Sequence, residues 1–170
     1  VVHRIAEPAP DPAGGFVAEV DEFNLVYPEP GHDAESMFVD PVTGNLVIVT
    51  KPDPGGEALI YVAAAADLVD GASIDLIRIG GFQLDPGLFV TAADIDSTGA
   101  VILFRGDNEV WLWQRTDLSF EETFAGEPCL VPSTAEVQGE AISFAADGYS
   151  YYTMSEGSEP DISYVFSIFD

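Results

Sequence analysis

Positive charge is the scarcest property of this 170-residue chain, which has 5 Lys and Arg residues against 30 Asp and Glu residues. Lys51 is its one lysine, and the formal net charge is −25. Nucleic acids are bound chiefly through Lys and Arg contacts to phosphate, so this composition argues against a nucleic-acid-binding protein. Anionic membrane surfaces would repel the chain for the same reason.

Cysteine and long apolar runs are also scarce. Cys129 is the single cysteine, so no disulfide forms within these 170 residues, and Cys129 is expected to be a buried thiol or to pair with a cysteine outside them. No apolar run approaches the roughly 18 residues needed to span a bilayer, and membrane insertion is therefore not expected. Because the sequence begins at Val1 without a methionine or a signal peptide, we expect a processed or truncated form of a secreted protein.

Apolar residues are nevertheless plentiful, since 47% of the chain is hydrophobic and 11% is aromatic. They occur mostly in short β-branched or aromatic runs separated by Gly, Pro, Asp and Asn, a pattern typical of strands and turns. Residues 62–70 are the one candidate for a helix, of one or two turns. The sequence therefore predicts an all-β protein.

Three segments share one pattern, in which two apolar strands flank a tight turn and a third strand follows. The turn glycines are Gly44, Gly99 and Gly148, about 50 residues apart, which is close to the length of a propeller blade. We therefore predict a β-propeller domain over residues 1–170, with blades at 31–80, 81–130 and 131–170 and outer strands of a preceding blade at 1–30.

About three and a half blades do not close a ring, because propellers typically have about 4–8 blades. The remaining blades are expected to come from a missing part of the same protein, or from a second chain. The first of these two alternatives is favoured.

Aligning the repeats places Glu35, Thr91 and Glu140 where the inner strand begins, and Lys51, Arg105 and residues 155–156 where the second strand ends. In an antiparallel hairpin these two positions lie at the same end, so the residues should face one end of the propeller near its axis.

Carboxylates at this end suit Ca²⁺, which prefers oxygen ligands, and cations suit an anionic group held beside the metal. The candidate metal ligands are Asp33, Glu35, Asp94, Glu140 and Glu156. The candidate ligand contacts are Lys51, Arg105 and His32. The alternative is that these residues form ion pairs which satisfy buried strand ends.

The segment 94–99 resembles the start of an EF-hand loop, with Gly99 at its sixth position. The twelfth position should be a bidentate Glu but is Arg105, so we interpret the segment as a hairpin turn. Nucleophile-elbow, P-loop, zinc and dinucleotide-binding motifs are absent from the sequence.

The ordered motifs HDAESMFVDPVTGNLVIVTK, VTAADIDSTG and QGEAISFAADG resemble a family of secreted bacterial β-propeller proteins, distantly similar to phytase-like and other six-bladed propellers. The chain resembles the C-terminal half of such a propeller. In phytase-like propellers acidic residues hold Ca²⁺ while Lys and Arg grip phosphate. The resemblance thus implies that Glu35 and Glu140 bind metal and that Lys51 and Arg105 contact phosphate.

Two classes of function follow. The first is a secreted, acidic binding or scaffold propeller, stabilised by Ca²⁺, with a ligand site at its axial face. The second is a Ca²⁺-dependent hydrolase of phosphate or other esters, in which the metal polarises the scissile group and activates water. Whether the chain is an enzyme stays open at this stage.

Overall fold

The computed structural model describes residues 1–8, 19–29, 31–52, 56–85, 88–116 and 119–166, whose strands form four sheets. The first sheet contains β1 (Val2–Ile5), β2 (Val20–Val26) and β6 (Ser73–Asp75). The second contains β3 (Ala34–Val39), β4 (Leu46–Thr50), β5 (Glu57–Ala63) and β7 (Ile77–Gln83). The third contains β8 (Ala92–Ile95), β9 (Val101–Arg105), β10 (Val110–Gln114) and β11 (Cys129–Val131). The fourth contains β12 (Gly139–Phe144), β13 (Tyr151–Ser155) and β14 (Ile162–Val165). The all-β prediction is confirmed.

The four sheets stack face to face in chain order, separated by three apolar layers. The first layer, between the first and second sheets, includes Phe23, Ile48, Tyr61 and Ile74. The second layer is the largest and is rich in aromatic rings: Phe38, Phe82, Phe104, Trp111, Trp113, Phe120 and Phe124. The third layer, between the third and fourth sheets, includes Leu103, Leu112, Ile142 and Tyr151. Alternate residues of the middle sheets therefore enter layers on opposite faces, which explains why these strands are apolar almost throughout.

The first strands of the second, third and fourth sheets lie side by side. Strand β8 contacts β3 on one flank and β12 on the other. We call β3, β8 and β12 the inner strands. Their arrangement brings corresponding strand ends of successive sheets together, although each sheet is formed by a different part of the chain.

The turns predicted between the first two strands of each repeat are present. Their glycines Gly44, Gly99 and Gly148 have φ values of 74°, 77° and 72°, a conformation that side chains with a Cβ rarely adopt. Residues 62–70 form the end of β5 and a single 3-10 turn at Ala65–Asp67, so the weak helical signal there is a short turn.

Two elements differ from the sequence interpretation. Strand β6 lies within residues 31–80, which were predicted to form one blade, but it pairs in parallel with β2 in the first sheet. A short helix, α1 (Phe120–Phe124), connects β10 and β11 of the third sheet and begins with a capping box between Ser119 and Glu122. Within the described residues, neither helical segment has the length and apolar character needed to cross a membrane.

Candidate ligand site

Two matching β-bulges occur where inner strands β3 and β12 begin. The register of β3 on β4 skips Glu35, and the register of β12 on β13 skips Glu140. A bulge leaves one residue unpaired and redirects its side chain, and bulges are frequent beside functional sites. The alignment of Glu35 with Glu140 therefore agrees with the strand register.

Lys51 lies beside the first bulge, directly after β4. Its backbone N–H donates to the Asp33 carbonyl at 2.8 Å, which fixes the end of the hairpin. Its Nζ lies 2.5 Å from Glu35 Oε2 and 6.0 Å from the centre of the Phe89 ring. The ammonium group is thus held between a carboxylate and an aromatic face, and it retains partial contact with solvent.

Carboxylates of two different sheets act on Lys51. Burial opposes its positive charge, but the hydrogen bond to Glu35 and the charges of Glu35, Asp33 and Glu140 outweigh burial and raise the pKa of Lys51. The Gln138 amide also donates to Glu140 Oε1 at 2.7 Å. We call Lys51, Asp33, Glu35 and Glu140 the Lys51 cluster, which carries three formal negative charges against one positive charge.

Glu156 occupies the position in the fourth sheet that Lys51 has in the second. Its backbone N–H donates to the Gln138 carbonyl at 2.8 Å, matching the bond from Lys51 to Asp33. Gln138 is therefore the counterpart of Asp33. The same correspondence is seen in the sequence when DAE (residues 33–35) is aligned with QGE (residues 138–140). Sequence reasoning missed Gln138 because it considered only charged residues there.

Arg105 does not lie at this position, and its predicted grouping with Lys51 is wrong. The strand pairs next to the turns are Val39–Leu46 in the second sheet and Ile95–Ile102 in the third sheet. Arg105 lies three residues after Ile102, and it therefore corresponds to Val49, three residues after Leu46. Lys51 lies two residues further along. The bulges lie on β3 and β12 and add no residue to the second strands, so the mismatch is one of position along the strand: Lys51 lies five residues beyond Leu46, whereas Arg105 lies three residues beyond Ile102.

The Arg105 side chain is buried between the third and fourth sheets. Its Nη2 lies 3.0 Å from Glu136 Oε2, and the exposed fractions of the two side chains are 0% and 6%. The guanidinium group also donates to the carbonyls of Asp107 and Glu109, both at 3.3 Å. Arg105 therefore joins two sheets and offers no surface to a ligand.

Thr91, the third residue in the alignment with Glu35 and Glu140, is also buried. Its hydroxyl lies within hydrogen-bonding distance of the Gly139 carbonyl, at 2.7 Å, and of the Arg105 carbonyl, at 3.1 Å. Thr91 thus helps to fix β12 against β8, and the third sheet contributes no carboxylate at this position.

Asp94 lies near the turn end of β8, away from Lys51. It pairs with Leu103, and its carboxylate accepts the Phe144 N–H of β12 at 2.7 Å. The neighbouring Asp96 accepts hydrogen bonds from the N–H groups of Thr98, Ala100 and Val101 and from the Thr98 hydroxyl. The segment is the predicted hairpin turn, closed by its own aspartate.

His32 belongs to a separate aromatic cluster. The Tyr61 hydroxyl donates to Glu29 Oε1 at 2.8 Å, so His32 Nε2, 3.0 Å from that hydroxyl, is placed to donate to it. The Tyr27 ring packs edge-on against both rings. Burial and the charge of Glu29 raise the pKa of Tyr61, while burial and Asp33 raise that of Tyr27. Both tyrosines therefore remain neutral hydrogen-bonding groups.

The described part of the chain contains no group of three His, Cys, Asp or Glu side chains already arranged to hold a metal ion. In comparisons with known proteins, no family model matches the sequence and no curated protein matches it. The geometry of the Lys51 cluster is consequently the basis for a functional proposal.

Proposed function

We propose that this chain forms blades of a secreted, acidic β-propeller that acts as a binding or scaffold module. Its ligand site lies at the end of the stack where the inner strands begin, around the Lys51 cluster. Ca²⁺ is the proposed ion at this site. Four sheets stacked in chain order with adjacent inner strands support the propeller architecture.

One observation carries the proposal for the site. Glu35 of the second sheet and Glu140 of the fourth sheet are both bulge residues, and both act electrostatically on the same ammonium group. Loop and strand ends on one face of a rigid scaffold are where binding sites are commonly built. Convergence of two separate sheets on one partly exposed charge is the arrangement expected of such a site.

The donor chemistry of the Lys51 cluster fits Ca²⁺, because three carboxylates supply the hard oxygen ligands that this ion prefers. One Glu35 oxygen already pairs with Lys51 at 2.5 Å. Binding would therefore require the ammonium group to move aside while the carboxylates turn toward the ion. Lys51 and Ca²⁺ would compete for the same oxygens.

A binding function is favoured over hydrolysis because the two predicted phosphate contacts, Lys51 and Arg105, do not lie together. Arg105 is buried against Glu136, so Lys51 alone of those two cations remains at the axial end. A phosphate ester would meet three carboxylates and one ammonium group, an environment that repels an anion in the absence of metal.

The proposal is tested by thermal unfolding and calorimetric titration with CaCl₂, compared with NaCl at matched ionic strength. A ligand that binds only the folded state stabilises it by about 2.7 kcal/mol at 100 times its Kd, and the effect saturates. We expect Glu35→Gln and Glu140→Gln to weaken Ca²⁺ binding by roughly tenfold or more, about 1.4 kcal/mol each.

Glu127→Gln is the matched control, since Glu127 is an exposed carboxylate outside the cluster. Lys51→Met should strengthen Ca²⁺ binding by removing the competing ammonium group. Equal stabilisation by CaCl₂ and NaCl, or equal Ca²⁺ affinity in all four variants, would refute the proposed site.

A further inference from the structure

The outer face of the fourth sheet is apolar, like its inner face. Strand register places Tyr152 opposite Tyr164 and Met154 opposite Ile162 on this face, and Phe166 follows two residues after Tyr164. The rings form a short ladder, with centroids 5.0 Å apart for the tyrosine pair and 6.5 Å apart for Tyr164 and Phe166.

No charged side chain projects from this face among the strand residues that the structure describes. Ala141 and Ser143 of β12 complete it. In a chain with 30 acidic residues, an uncharged face is a marked departure from the surface composition. The second and third sheets show apolar side chains on both faces because both faces are covered, which indicates that the fourth sheet is also covered when the protein functions.

A second uncovered apolar surface lies at the other end of the stack. The first sheet covers only part of the second sheet, and a groove of about 300 Å³ remains beside β3. Met37 and Ile48 line its β3–β4 side, and Val2, Leu25 and Tyr27 line its other side. Met37 and the nearby Val39 are largely exposed. Glu35, at the end of the groove, is its one charged lining residue in the described chain.

We propose that these two surfaces bind each other between two copies of this chain, so that the fourth sheet of each copy packs into the groove beside β3 of the other. The contact repeats the stacking already present within the chain, where β3 adjoins β8 and β8 adjoins β12. Strand β12 of one copy would adjoin β3 of the other. Two end-to-end contacts related by a twofold axis close the assembly and leave neither apolar surface exposed.

The available area is sufficient for a stable dimer. The five large residues of the outer face expose roughly 600 Å² in one copy, the upper range for the largest apolar patch of a monomer. The two outer faces alone would contribute about 1,200 Å² to the dimer interface, the lower end of the range for specific protein interfaces, and the groove surfaces add to this. Each copy carries a charge of −25, so repulsion opposes association and salt should strengthen it.

The experiment is sedimentation equilibrium of the 18.1 kDa chain from about 1 to 100 µM, in about 0.1 M and 1 M NaCl. We expect a monomer–dimer equilibrium that shifts toward dimer in the higher salt. Ile162→Asp and Phe166→Asp should abolish the dimer without unfolding the monomer, because these residues are 69% and 73% exposed. Val137→Asp is the control, since Val137 is 97% exposed outside both surfaces, and it should dimerise like the original protein.

Mixing variants tests the end-to-end geometry. Met37→Asp changes the groove and Ile162→Asp changes the outer face, so each alone should be monomeric while their mixture regains one intact contact and partial dimerisation. A Met37→Asp variant that dimerises normally would show that the contact joins identical faces, which overturns the proposal. A chain that stays monomeric at 100 µM in 1 M NaCl would overturn it as well.

The dimer rests on the sheet stacking of the proposed propeller, and it meets the Lys51 cluster only at Glu35, at the end of the groove. Failure of the two proposals is therefore distinguishable, because Ca²⁺ titration reports on the cluster and sedimentation reports on the sheet faces.

Discussion

Gly139→Ala is expected to disrupt the contact between the third and fourth sheets. An alanine Cβ at this position would lie 2.1 Å from Arg105 Nε and 2.2 Å from Nη2, far inside van der Waals contact. Gly139 does not have a positive φ, so an alanine would suit its backbone and the conflict is steric. The inner strand β12 can approach β8 this closely only because residue 139 has no side chain.

The magnitude follows from how firmly Arg105 is held. The guanidinium group is fully buried and bound by Glu136 and two backbone carbonyls, so it cannot turn into solvent without leaving Glu136 buried and unpaired. Breaking a buried ion pair costs about 3–5 kcal/mol, and a backbone shift that preserves the pair costs about 1–3 kcal/mol. We expect a loss of about 3 kcal/mol, a large fraction of the roughly 5–15 kcal/mol that stabilises a domain.

Urea unfolding followed by fluorescence of the buried Trp111 and Trp113 measures this loss. In an Arg105→Val, Glu136→Gln background, Gly139→Ala should cost less than about 1 kcal/mol, because the shorter side chain leaves room for the Cβ. Gly148→Ala provides a contrast: its Cβ meets open space, and strain at φ +72° alone should cost about 1 kcal/mol. A Gly139→Ala protein as stable as the original would refute the steric argument.

Acid stability should depend on Asp96, since hydrogen bonds from Thr98 and the turn backbone overcome burial and lower its pKa. A folded pKa below the unfolded value of about 3.9 contributes stability that is complete above that value and is lost as pH falls through the folded pKa. Asp96→Asn should therefore flatten the acid limb of stability against pH, measured by urea unfolding between about pH 2 and 7; an unchanged acid limb would contradict this. Phe104→Ala should cost about 3–5 kcal/mol in the same assay, because Phe104 is fully buried with the Phe82 and Trp113 rings both at 5.4 Å. A loss below 1 kcal/mol would show that the second layer does not stabilise the stack as described.

The repeat was predictable from the sequence because its turns are local. Gly44, Gly99 and Gly148 each follow an apolar run, and the positive φ required at such turns favours glycine at each place. The capping box Ser119–Glu122 was also visible in the sequence as S-x-x-E, although helix α1 was not predicted from it.

The position of Arg105 was not predictable in the same way. The turn glycines do not hold the same place in their turns, since Gly44 lies two residues before Leu46 of the first strand pair and Gly99 lies three residues before Ile102. Residues counted from these glycines therefore lose their correspondence along the second strand, and Arg105 falls two residues short of the position that Lys51 occupies. Glu35 and Glu140 kept theirs because each lies four residues before the last paired residue of its inner strand, Val39 or Phe144.

The crossing of β6 into the first sheet has a consequence for how the chain folds and opens. Sheets made of consecutive strands can form and fray one at a time, as repeat units do. The first sheet cannot be completed until Ser73–Asp75 has been synthesised, after β3, β4 and β5. Amide hydrogens of β2 should consequently exchange together with those of the second sheet as one cooperative unit, while those of β14, an edge strand of the fourth sheet, should exchange sooner.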